Sequence, residues 1–137
     1  MEKDWVENIV AEPELRIVLQ TGPFTSPDSL VRDLEATSDI QIDQRRLGAS
    51  FRGGGGAAFI VVTSAADNIP VLADLLHRHT KRLKKRGGDD LFVLLGGRIR
   101  TDEEVIGFRD VQCRRQVSLK GKSQIEIREV LEEDAGG

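Results

Sequence analysis

Leu72, Leu75, Leu76, His79 and Leu83 fall at i, i+3, i+4, i+7 and i+11, which lines them up along one side of an α-helix. A stripe of this length has to be buried, so the remainder of the chain must supply an apolar surface to receive it. Short β-branched and aliphatic runs on either side of the stripe do so. Leu15 to Gln20 is bounded by Pro13 and by Gly22-Pro23 and reads as a first strand. Ser26 followed by Pro27 places a capping hydroxyl before a proline at the first helical position. Leu30, Val31 and Leu34 then share one face of a helix that ends near Thr37-Ser38. Ile40 and Ile42 alternate with Gln41 and Asp43, and Leu47 closes this second strand before Gly48. The opening unit is β-α-β.

The segment between this unit and the stripe has two periodicities. Phe59 to Val62 has the β-branched content of a strand, while Phe59, Val62, Ala66, Ile69, Ala73 and Leu76 follow helical steps. The helical reading is preferred, with either a kink at Pro70 or a fresh start capped by Asn68, because Pro70 lacks a donor and crowds the preceding turn. Gly87-Gly88 stops the helix. Leu91 to Leu95 has the length of a buried strand, and Gly96-Gly97 turns it onto Arg98-Ile99-Arg100. Thr101 and Glu104 have capping-box spacing and predict a short helix through Val105 and Ile106. Val111, Cys113, Val117 and Leu119, with Ile125 and Ile127 after Gly121, predict a C-terminal hairpin. The whole is a small α+β fold in one domain, residues 1–131, with a long kinked or split central helix followed by antiparallel strands and hairpins. Residues 132–137 form a loose acidic and glycine tail.

At 137 residues one core is the expected solution, and 39% hydrophobic with 31% charged residues suits a globular chain. Five Phe, one Trp and no Tyr leave few stacking platforms for single-stranded nucleic acid, and the net charge of -3 gives no overall attraction to it. The longest apolar stretch, Ala57 to Val62, is far below the ~20 residues of a membrane span. Met1-Glu2-Lys3-Asp4-Trp5 is acidic without an apolar signal region, and the single Cys113 suits a reducing compartment. A cytoplasmic location without membrane contact is the expectation.

No residue set assembles a catalytic constellation, so no enzyme and no cofactor are expected. His77 and His79 point about 200° apart on a helix and cannot share a metal ion. Cys113 lacks an identifiable base and reads as a small core residue. Gly53 to Gly56 suggests an anion or nucleotide loop, but Ala57-Ala58 stands where a phosphate-loop Lys and hydroxyl would follow. Lys81, Arg82, Lys84, Lys85 and Arg86 complement the helix dipole and are the only cluster suited to an anion or nucleic acid. Asp102, Glu103 and Glu104 read as solvated charges at a helix start.

The strand Glu14-Leu15-Arg16-Ile17-Val18-Leu19, the glycine-rich lead into Ala57-Ala58-Phe59-Ile60-Val61-Val62, the helix ending Lys81-Arg82-Leu83-Lys84-Lys85-Arg86 and the turn at Gly96-Gly97 together resemble the effector-associated constant component family of bacterial conflict systems. The resemblance runs from Glu14 to Glu104. It implies a non-enzymatic adaptor or recognition subunit that binds a protein partner, such as a protease or other effector. On that reading the candidate interface is the outer face of Phe59, Val62 and Ile69, and a homodimer would bury the same kind of surface. An alternative takes Gly136 and Gly137 as the conjugation terminus of a ubiquitin-like modifier; a third takes the tetraglycine loop as an anion or nucleotide site.

Overall fold

The computed structural model describes residues 14–22, 27–37, 39–47, 58–85 and 90–136. Its centre is a six-stranded sheet in the order β6-β2-β3-β1-β4-β8, built from β1 (Glu14–Thr21), β2 (Ile40–Leu47), β3 (Ala58–Ala65), β4 (Leu91–Leu95), β6 (Val105–Ile106) and β8 (Arg115–Ser118). Every pairing is antiparallel except β2 with β6. A separate two-stranded arm pairs β5 (Arg98–Ile99) with β7 (Val111–Gln112). The helices are α1 (Asp28–Glu35), α2 (Ile69–Lys85) and α3 (Gln124–Gly136). The class is α+β.

Alternation along the strands divides the core between the two faces of the sheet. Leu15, Ile17 and Leu19 of β1 and Ile60 and Val62 of β3 face the helices, where they meet Leu30 and Leu34 of α1, Leu72, Leu76 and Leu83 of α2, and Ile127 and Leu131 of α3. Val18, Phe59, Val61, Leu94 and Ile106 form a smaller cluster on the opposite face, and no helical residue belongs to it. Ile99 and Val111 of the arm cover that cluster. Phe108, 53% exposed, sets its ring edge-on to Phe59 at 6.5 Å. Among the described residues the sheet carries its three helices on one side and the short β arm on the other.

Several expectations are corrected. Ala58–Ala65 is a strand rather than the start of the central helix. Pairing on both sides, with β1 and β2, decides a period that the sequence left ambiguous. The helix begins afresh at Ile69 after a short 3-10 turn over Ala66–Asn68, and Pro70 lies in its first turn, where a missing donor costs nothing. The turn at Gly96-Gly97 does not fold Arg98–Ile99 back onto β4, whose neighbours are β1 and β8. Val105–Ile106 is strand β6, not a helix. Thr101 Oγ1 accepts the Glu103 N–H at 3.2 Å in a local turn, and the Arg45 guanidinium donates to the Thr101 and Glu103 carbonyls at 2.8 and 2.7 Å.

The expected C-terminal hairpin is replaced by α3, so residues through Gly136 are helical rather than a loose tail. Ser123 and Glu126 form the capping box, with the Glu126 N–H donating to Ser123 Oγ at 3.2 Å and the Ser123 N–H donating to Glu126 Oε1 at 3.0 Å. Cys113 is exposed and so is not a core residue. Ser26, the tetraglycine Gly53–Gly56, Arg86, Gly87-Gly88 and Gly137 lie outside the described residues.

Candidate functional site

The candidate interface read from sequence is not a surface. Phe59 and Val62 are each 1% exposed and Ile69 8%, because β3 is an inner strand packed on both faces and Ile69 caps the helix-side core. The basic residues Lys81, Arg82, Lys84 and Lys85 do project from the last turns of α2. Arg82 is tied to Asp33 of α1, so part of the cluster's charge serves a helix-helix contact. Gly136 ends α3 as part of the helix.

A different set of residues is brought together at the end of the sheet where β1 begins and β4 ends. Gly96 adopts φ +66°, a conformation glycine tolerates, to leave β4. Gly97 then passes so close to β1 that an added Cβ would stand 2.9 Å from Val18 Cβ and 2.8 Å from the Leu94 carbonyl oxygen. The Gly97 N–H donates to the Leu94 carbonyl at 2.9 Å and the Arg114 N–H to the Leu95 carbonyl at 2.8 Å, which fixes both ends of the arm against β4. Between arm and sheet end lies an open cleft of about 1170 Å³, lined by Arg16, Arg98 and Arg114 with Ile99, Val111 and Cys113.

The cleft is cationic. Arg45, Arg46, Arg78, Arg82, Arg115 and Arg128 each face a carboxylate. Arg16, Arg98 and Arg114, like Arg32, Arg100 and Arg109 elsewhere, form no ion pair among the described residues; the three line one cleft, and the charge of Arg16 acts on Asp43 and that of Arg114 on Asp134. Among the described residues the carboxylate lining it is Asp134 of α3. It lies at i+7 from Ile127 and i+3 from Leu131, on the face of α3 turned to the core. Asp134 Oδ1 accepts the Gly96 N–H at 2.7 Å, while Oδ2 is buried without a hydrogen-bond partner. Burial pushes this carboxyl above its ordinary value, opposed by the Gly96 hydrogen bond and the charge of Arg114.

Sequence reasoning missed this cleft because its parts are far apart in the chain and join only through α3 and the arm. The signal that would have found it is Ser123-x-x-Glu126 followed by Ile127, Val130 and Leu131. That is a capping box leading into helical spacing, and it would have placed Asp134 on an inward face. Chemically the cleft offers cationic donors, one backbone N–H already bound to a carboxylate, and an aliphatic wall. Cys113 is exposed beside them. Among the described residues no group of three or more His, Cys, Asp or Glu is placed to hold a metal ion, and no helix is long and apolar enough to cross a membrane.

Fold and site together define a one-sided α+β domain with an arginine-lined cleft beneath a β arm. Comparison with known proteins adds no relative: no family model matches the chain, and no curated protein or solved structure matches it.

Proposed function

We propose that the chain is a non-enzymatic recognition subunit that holds a protein partner at the arginine-lined cleft and couples it to an effector of a bacterial conflict system. The observation that carries this reading is the convergence of Arg16, Arg98 and Arg114, none of them in an ion pair among the described residues, in one open cleft of about 1170 Å³. Its breadth exceeds the ~300–1,000 Å³ of most small-molecule pockets, and it opens along the protein surface rather than enclosing a ligand. Arginine in such a setting favours macromolecular contact, since its planar fork forms paired hydrogen bonds with carboxylates and stays charged. The link to an effector rests on the resemblance drawn from the sequence, and the cytoplasm is the compartment that goes with it.

The test is capture from native lysate with the full chain and with a form lacking Gly136 and Gly137, followed by reconstitution of the complex from purified components. One stoichiometric, non-covalent partner held equally by both forms is the expected result. A chain that recovers no partner under native conditions contradicts the proposal. Covalent adducts that require the two glycines would replace it with the modifier reading, which a helix running through Gly136 does not favour.

A further inference from the structure

We infer that the cleft recognises an acidic peptide segment of its partner, and that Asp134 is an internal carboxylate occupying part of the same site. This rests on the recognition reading above and adds the chemistry of what is recognised.

The seated carboxylate is the starting point. Asp134 takes the Gly96 N–H with one oxygen and lies within the field of Arg114, so this corner of the cleft already binds the functional group proposed for the partner. Its second oxygen is buried without a hydrogen bond, so this corner holds the internal carboxylate by one of its two oxygens. Arg16, whose charge also acts on Asp43, reaches the same cleft from β1 and Arg98 from β5, which puts two further guanidinium groups in the cleft. Bidentate pairing with carboxylates is the geometry guanidinium favours. Ile99 and Val111 give the floor an aliphatic character that suits the stems of Glu side chains and a peptide backbone.

Peptide is favoured over nucleic acid on two counts. The cleft is lined by aliphatic rather than aromatic side chains, so bases would find nothing to stack on. The group the cleft already holds is also a carboxylate rather than a phosphate.

The test is fluorescence anisotropy with a labelled oligoglutamate peptide, using the full chain and the variants R16Q/R98Q, D134A and D134N, each checked for folding by circular dichroism. Oligoglutamine and oligothymidylate of the same length serve as competitors. The expected result is binding of oligoglutamate that weakens as salt rises and falls by about tenfold or more in R16Q/R98Q. Removing the internal carboxylate should tighten it a few-fold, in D134N as well as D134A, so a folding defect in one variant leaves the other to decide. Oligoglutamine should not compete. The inference is overturned if oligoglutamate binds neither wild type nor the Asp134 variants, if R16Q/R98Q binds it as well as wild type, or if oligothymidylate binds more tightly through the same arginines. A captured partner retained undiminished by R16Q/R98Q would remove this inference while leaving protein recognition in place.

Discussion

Gly97 is the residue on which the geometry of the cleft most depends. A Cβ there would come within 2.8 Å of the Leu94 carbonyl oxygen and 2.9 Å of Val18 Cβ, and neither a backbone atom nor a β-carbon in a paired strand can move aside cheaply. G97A is expected to destabilise the fold by about 1–3 kcal/mol, read as a lowered midpoint in denaturant unfolding. Asp134 gives a second prediction, in pH. Burial raises its folded-state pKa above the ordinary 3.8, so the native state holds the proton more tightly than the unfolded chain does. Stability should fall as pH rises from about that value through the raised one, then level off. D134N, which keeps an acceptor for Gly96 without the charge, should lack this step; unfolding curves of both proteins across that range check it. Asp43 acts in the opposite sense. Its hydrogen bond from Arg45 lowers its pKa, and its contribution is lost as pH falls through the lowered value.

At the scale of elements, α3 is the piece that turns a sheet with two helices into a closed helix layer. Ile127 and Leu131 are both fully buried, so L131A should cost about 2–5 kcal/mol, as for other buried Leu truncations. S123A removes one side of the capping box and should cost about 1 kcal/mol, with amide exchange accelerating first in the opening turn of α3. This helix also shows where sequence reading succeeds and where it stops. The stripe from Leu72 to Leu83, the alternation of Ile40 and Ile42, and the compact run Leu91–Leu95 each announce their element, because a single period dominates. Ala58–Ala65 and Ile125–Ile127 do not. The first fits both periods and is settled only by hydrogen bonding to β1 and β2. The second places two Ile residues two apart, which imitates a strand, yet Ile125 is 71% exposed and only Ile127 is buried. The cleft was less legible than the fold, since Arg16, Gly96, Arg98, Arg114 and Asp134 become neighbours only after α3 and the arm are in place.

Across the whole molecule, the asymmetry of the sheet organises everything else. Among the described residues the three helices pack on one face, where the larger core lies, and the opposite face is covered by Leu47, Ile99, Val111 and the edge-on ring of Phe108. Arg45 braces this side by donating to the Thr101 and Glu103 carbonyls, alongside the Arg46 N–H that donates to the Glu104 carbonyl. R45M should leave α2 and α3 unaffected while amides around residues 101–106 exchange faster. The cationic cleft opens at the end of this thinner side, where the proposed recognition subunit would hold its partner. The most direct measurement is amide hydrogen exchange of the chain alone and in complex with its captured partner. Protection is expected to concentrate at residues 96–99 and 111–115, with the outer faces of α1 and α2 unchanged. Protection confined to α1 and α2, with the arm and the Gly96-Gly97 turn exchanging as in the free chain, would contradict it.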